Sequence, residues 1–377
     1  MSTITVPETY AEDLAKVLDR VIDPAAAEID REGAFPRQAI EELGRAGLLG
    51  LVSATKSGGR GEGLAAASEV IRELAGHCGS TAMVVLMHYA ATLVVEAHGS
   101  ESARRSLASG RLSTLAFSEA GSRSHFWSPV STASRVGTEI RLDANKSWVT
   151  SAGEADYYVW SSLPLEAEGA STLWLVPGDA AGLRVAAPFD GLGLRGNASS
   201  PIVAEAVSVS PEAMLGPDGG AFDVMMSVVL PSFQIMSASF SVGLMEAAVN
   251  KAVAHVSSTR LAHLGQSLAD LPTIRAYLAR ARILTDMTWT LVQDALRAVE
   301  ESREDAMLRI LESKAAAGEA AAKVTNLAMR VCGGAAYRKD VGIERHFRDS
   351  QAATVMAPTT DVLYDFIGKA ICGLPLF

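Results

Sequence analysis

Residues 139–161, EIRLDANKSWVTSAGEADYYVWS, are where the chain stops reading as helix. β-Branched and aromatic residues gather here in the short runs Glu139–Asp143 and Tyr157–Ser161. They recur at Thr172–Val176, Leu183–Val185 and Ile202–Val207. Gly and Pro turn signals separate the runs, so the spacing predicts a small antiparallel sheet or barrel within residues 111–218. Upstream, over residues 1–110, the period is helical. Tyr10, Leu14, Val17, Leu18, Val21 and Ile22 follow the i, i+3/i+4 rule until Pro24 interrupts it. A short helix fits Pro36 to Ala46, and residues 64–75 and 80–97 return to helix. The glycine-rich stretch at 57–63 reads as a loop and lacks the lysine of a phosphate-binding P-loop. Downstream, over residues 219–377, Ile274, Tyr277, Leu278, Ala281, Leu284, Leu291, Val292, Ala295 and Val299 fall on one long amphipathic helix. Ala315–Met329 is a small-residue helix that Gly333-Gly334 ends. The chain is therefore mainly α with a central β domain: an N-terminal helical bundle, a middle antiparallel β-barrel or sheet, and a C-terminal bundle of four-helix type. That order is uncommon and narrows the fold more than any single motif.

The totals set outer limits. The 377 residues carry a formal net charge of -10, with 49% hydrophobic and 20% charged residues. That balance supplies a large core and argues against disorder. An acidic total disfavours nucleic acid or an anionic membrane as partner, because both call for a basic face. Cys78, Cys332 and Cys372 match no metal-ligand spacing, so no metal is expected, and three reduced thiols suit a cytoplasmic protein. The opening stretch MSTITVPETYAEDLAKVLDR has no apolar signal core, and no run reaches the roughly 18 uninterrupted apolar residues of a membrane span. Asn197-Ala198-Ser199 spells a glycosylation acceptor but has no secretion route to use it.

Several motifs stand in order along this layout: the run from Asp30 to Leu51; Phe117-Ser118-Glu119; Ser124; Lys146-Ser147-Trp148-Val149-Thr150; the glycine-rich turn Gly191 to Gly196; Gly333-Gly334; Glu344-Arg345; and Arg348-Asp349. Together they resemble the acyl-CoA dehydrogenase superfamily, over about residues 8–370. The resemblance implies a flavoprotein that binds FAD. A flavin is a flat amphipathic ring with hydrogen-bonding edges and an anionic tail, and a protein must stack the ring, hold its edges and neutralise the tail. By that resemblance Phe117 and Ser118 lie along the ring, Trp148 packs against it and Thr150 reaches its N5 region. Ser124 reaches the pyrophosphate, and Thr359 touches the cofactor from the end of the chain. Arg260 and the Gly333-Gly334 turn bind the FAD tail of a neighbouring subunit, which implies a homodimer or homotetramer. Residue by residue, Trp148 and Thr150 are two apart and share one face of a strand, a pairing of ring and hydroxyl that suits a flavin edge. Arg345, Arg348 and Asp349 also read as a structural ion-pair cluster.

The departures bear on chemistry. Desaturation of an acyl thioester needs a base for the α-proton. The family's usual base position, counted from Arg348-Asp349, is Ala357; its minority position, counted from Gly243, is Phe233. Neither side chain accepts a proton. Asp361, about one helical turn on from Ala357, and His125 in the loop Arg123-Ser124-His125-Phe126-Trp127 are the weak candidates. The three rings of that loop predict a reshaped or smaller pocket. The leading expectation is an FAD-dependent oxidoreductase acting on an acyl thioester, CoA- or carrier-protein-bound, with a non-standard or absent base. The alternative is a monooxygenase on the same fold that uses reduced flavin, FMN included, and hydroxylates nitrogen, carbon or sulfur. A non-catalytic flavin-binding homologue is the third reading. An electron acceptor or a flavin reductase would be the partner in the first two.

Overall fold

The computed structural model describes residues 9–122 and 125–376. The N-terminal helices are α1 (Tyr10–Val17), α2 (Asp23–Glu32), α3 (Arg37–Arg45), α4 (Leu64–His77), α5 (Gly79–His98) and α6 (Glu101–Ala108). Pro24 does not end the first helical run. A π-type turn over Leu18–Ile22 joins α1 to α2, and Pro24 sits in the first turn of α2, where a missing N–H costs nothing. Thr9 starts the run with a capping box, its hydroxyl accepting from the Glu12 N–H while Glu12 reaches back to the Thr9 N–H.

Eight strands follow: β1 (Ser113–Ala116), β2 (Thr132–Val136), β3 (Glu139–Val149), β4 (Tyr157–Ser162), β5 (Thr172–Pro177), β6 (Leu183–Val185), β7 (Ser200–Val209) and β8 (Met214–Leu215). They form two four-stranded sheets, in the orders β1-β4-β5-β8 and β2-β3-β7-β6, and neither closes into a barrel. The sheet half of the expectation therefore holds and the barrel half does not. Nor is the layer wholly antiparallel, because β1 pairs with β4 in parallel. A single bridge between Glu119 and Lys146 ties one sheet to the other. Trp160 and Trp174, paired across β4 and β5, are fully buried. Trp174 Nε1 donates to Ser162 Oγ at 2.9 Å, the partner a buried indole needs.

The C-terminal helices are α7 (Ala221–Val224), α8 (Leu230–Ser258), α9 (Pro272–Glu300), α10 (Ala306–Cys332), α11 (Ile343–Ser350), α12 (Ala352–Val355) and α13 (Thr360–Ile371). Small residues let α8 and α10 approach closely, with Ala238, Ala317, Ala320 and Ala321 buried between them and α9. Two helical stretches, Gly79–His98 and Ala221–Ser258, are long and apolar enough to cross a membrane by length and composition, although neither holds 18 uninterrupted apolar residues. They lie 78% and 83% buried inside the fold, where an all-round apolar helix belongs. One buried cluster runs from α1 through both sheets to the first half of α8, while the alternating burial of β3 leaves one face of the second sheet to solvent.

Candidate functional site

A cavity of about 610 Å³ opens where the end of β3 meets the start of α8 and residues 352–357. Phe117, Ser118 and Glu119 reach it from the end of β1, and Ser147, Trp148 and Thr150 from the end of β3. Met83 and Met87 of α5 form the floor, and Phe233 lies opposite with Met356 and Ala357. The site is thus built at strand and helix ends, which rigid elements hold in place.

Its β side is fixed by one buried ion pair. Lys146 and Glu119 are fully buried and joined head to head. Lys146 Nζ also donates to Ser161 O at 2.7 Å and Ser161 Oγ at 2.9 Å. Glu119 accepts from Val130 N at 2.8 Å, Ser131 N at 3.0 Å and Ser131 Oγ at 2.6 Å. Every lone pair and proton is engaged, the condition under which a buried pair is tolerated. Burial pulls the Lys146 ammonium down to about 8, against the pull of Glu119. The Ser147 N–H donates to Ser118 O at 2.9 Å, so a main-chain bond ties the two segments together.

Trp148 departs from the expected alternation. The β3–β7 register shifts between Lys146 and Val149, and Trp148 has φ +55°, so the strand bulges. The bulge turns the indole out to the cavity mouth, 71% exposed, while Thr150 is buried and its Oγ1 lies 3.1 Å from Ser199 Oγ. Both still line the one cavity. A large ring held at positive φ and 71% exposed gains little packing from its own chain, and a flat ligand laid on it would supply more. The donors at the cavity edge, Ser118, Thr150 and Ser199, suit the polar rim of such a ligand. These residues fit a flavin.

The far wall is held from behind. Leu194 donates its N–H to Asp349 Oδ1 at 2.6 Å, and burial raises the Asp349 carboxyl to about 6. A Cβ on Gly193 would lie 2.5 Å from the Arg348 carbonyl carbon, so only glycine lets this turn rest on α11. Arg348 clamps Asp30, at 2.6 and 2.8 Å, and Glu344 at 2.6 Å. The ion-pair reading thus holds for Arg348, whereas Asp349 is anchored by a backbone N–H. On the other flank the buried Lys314 ammonium donates to Met356 O at 3.0 Å and Pro358 O at 2.7 Å, the carbonyls either side of Ala357. Burial lowers this ammonium to about 7.

Of the residues singled out in the sequence, Phe117, Ser118, Trp148, Thr150, Ala357 and Phe233 meet at this cavity. Asp361 and His125 do not. They face a second crevice of about 500 Å³, with Trp127, Asp365, Phe366 and Lys369. Phe126 alone of the three loop rings enters the first cavity, stacked on Phe117 with centroids 6.4 Å apart. Thr359 caps α13, accepting from Val362 N at 3.4 Å. Arg260 stands exposed in a two-residue strand after α8, and Gly333 and Gly334 stand exposed after α10. Ser124 lies outside the described residues. Asn197, the glycosylation match, is buried beside the cavity and accepts from Ser199 N at 3.1 Å. Sequence reasoning passed over Met83, Met87, Phe189 and Lys314, which carry no motif of their own, and read Asn197 and Ser199 only as a glycosylation match. Among the described residues no group of His, Cys, Asp and Glu is placed to hold a metal.

Three family models match in succession: the acyl-CoA dehydrogenase N-terminal domain over residues 7–112, the middle domain over 114–207 and the C-terminal domain over 219–372. The chain belongs to the acyl-CoA dehydrogenase family. The human mitochondrial short-chain specific acyl-CoA dehydrogenase is 26% identical over 372 residues, covering 96% of this chain and 89% of that one. Butyryl-CoA dehydrogenase from Megasphaera elsdenii shares the fold with a TM-score of 0.89 at 21% identity, covering 98% and 100% of the two chains. TdsC from Paenibacillus sp. A11-2, solved with FMN and indole, superposes with a TM-score of 0.87 at 20% identity and covers 97% and 98%. This acyl-CoA dehydrogenase family member is a flavin-dependent oxidoreductase, and FAD is the family's cofactor.

Proposed function

We propose that the cavity of about 610 Å³ carries out flavin chemistry on an apolar substrate without a carboxylate base, and that reduced-flavin-dependent monooxygenation is the reading its geometry supports best. The carrying observation is the charge inventory of the wall. Among the described lining residues Glu119 is the one carboxylate, and it is neutralised by Lys146. Ala357 and Phe233 line the wall where a base would be needed, and Asp361 and His125 open into the other crevice. A bound flavin accepts hydride from a substrate when oxidised and delivers electrons to dioxygen when reduced. Trp148 stacks the ring, and Ser118, Thr150 and Ser199 hydrogen-bond its edge. Met83, Met87, Phe126 and Phe233 exclude water from the substrate side. Arg260 and Gly333-Gly334 complete the cofactor tail site of a second copy in a homo-oligomer. In the net reaction, substrate C–H, dioxygen and two electrons with two protons from the reduced flavin yield C–OH and water.

Thioester oxidation is the second reading, favoured by the 26% identity to a dehydrogenase of short-chain acyl-CoA across 96% of the chain. Two measurements separate them. Anaerobic addition of butyryl-CoA to the FAD-loaded protein is expected to leave the visible flavin band intact. Ala357→Glu is expected to gain thioester-driven bleaching. With reduced flavin and oxygen, indole is expected to gain one oxygen atom by mass. Rapid bleaching of the unaltered protein by the thioester, with no oxygenated product, would overturn the first reading in favour of the second.

A further inference from the structure

Away from the cavity, the start of α11 gathers cations that form no ion pair, Asp23 and Asp349 attracting Lys251 and Arg345 only from beyond contact. Lys251 on α8 brings its ammonium to this helix end: a Cβ on Gly342, the residue before α11, would lie 3.8 Å from Lys251 Nζ. Arg345 and His346 follow in the first turns of α11, and both are buried. Side chains of a helix lean toward its N-terminus, so both lean to the Lys251 end. His77, last residue of α4, completes the ring of neighbours and accepts a 3.3 Å bond from Arg345 Nη2 through its carbonyl.

The donors here lack acceptors. Neither ring nitrogen of the fully buried His346 has a partner, and Arg345 Nε has none. Lys251 has no hydrogen bond or ion pair among the described residues. The nearby carboxylates are engaged elsewhere. Asp23 is bonded to His77 Nδ1 at 3.1 Å, Glu344 holds Arg348 and Lys339, and Asp349 accepts from Leu194. Gly342, at φ +72°, gives α11 no side-chain cap, so its first-turn N–H groups point the same way. A helix N-terminus carries partial positive charge and repels cations. Two cations and an imidazole gathered beside free amide hydrogens form the complement of an oxyanion. Buried donors left without acceptors are costly, and such a ligand would remove that cost.

We propose that Lys251, Arg345 and His346 form a binding site for a phosphate-type oxyanion at the N-terminus of α11. The half-exposed Lys251 and His77 are its entrance, and Arg345 and His346 its interior. None of the four lines the cavity described above. The ligand is inorganic phosphate or the terminal phosphate of a monoester.

The test is calorimetric titration and thermal unfolding of the flavin-loaded protein at pH 7 and constant ionic strength, in chloride-free buffer. One arm uses sodium phosphate and the other glycerol phosphate. A saturable heat and a matching rise in Tm are expected in at least one arm, and the tighter arm names the source. Lys251→Glu is expected to weaken binding about tenfold or more. It is also expected to raise Tm without phosphate, because Glu would face Arg345. Arg345→Met should lose binding, whereas Arg260→Met, altered at the expected flavin-tail contact, should keep it. No saturable response in either arm, an unchanged response in Lys251→Glu, or loss of the response in Arg260→Met would each overturn the proposal.

Discussion

His88 shows what one buried side chain can fix. Its Nε2 donates to Leu49 O at 2.8 Å, and its Nδ1 accepts from Ser113 N at 3.0 Å. Those roles require the neutral ring, and burial lowers its titration to about 4. Between about 4 and 6.5 the unfolded chain binds a proton that the folded chain refuses, so stability is complete above that window and falls as pH drops through it. The expected loss from this ring is about 3 kcal/mol, read from urea unfolding at pH 7.5, 5.5 and 4.5. His88→Asn should flatten the slope, and an unflattened slope would assign it to other groups. Trp148 offers the opposite case. Its 71% exposure means that Trp148→Ala should shift Tm little while reducing flavin retention about tenfold, measured by equilibrium dialysis. Equal retention would remove the indole from the cofactor site. At this scale the sequence identified Trp148 and Thr150 by their motif, but not how they meet. A period of two presumes a regular strand, and the bulge before Val149 broke it.

Among elements, the glycine-rich turn at 191–196 and helix α11 act as a unit. Gly193→Ala would press a methyl group onto the Arg348 backbone, which cannot step aside. A cost of about 2 kcal/mol or more is expected, with weaker flavin binding, because Leu194 and Gly193 line the cavity. Denaturant midpoints and the bound-flavin spectrum report the two effects, and an unchanged midpoint would show that the turn can shift. Long helices were readable from their periods: the expected run 274–299 lies within Pro272–Glu300. Strands β1, β2 and β8 were not, β1 being four residues buried on both faces with no alternation to read. β2 is polar and mostly exposed at a sheet edge, and β8 has two residues, too few for any pattern. Pro24 misled because a π-type turn absorbed it.

Across the whole molecule, Arg348 is the residue through which distant segments meet. It joins Asp30 of α2, Glu344 of its own helix and Leu192 O. Arg348→Met would leave the mostly buried Asp30 without its cation and Glu344 with Lys339 alone. A loss of about 3 kcal/mol is expected, along with earlier proteolysis of the N-terminal helices. Cleavage and midpoint unchanged from the parent would reduce the clamp to a surface ornament. The helix–sheet–helix order was legible at this scale because each zone has its own hydrophobic period. The cavity was legible only in part, since Met83, Met87, Phe189 and Lys314 arrive from segments without motifs and only folding brings them together.

Lys314 grips its neighbours by their main-chain oxygens, on both sides of Ala357 and never through its methyl group. Replacing that methyl group removes neither of the two oxygens Lys314 holds. The wall is therefore a socket whose insert is interchangeable: one codon separates a surface that can take up a proton from one that cannot, with the housing unaltered.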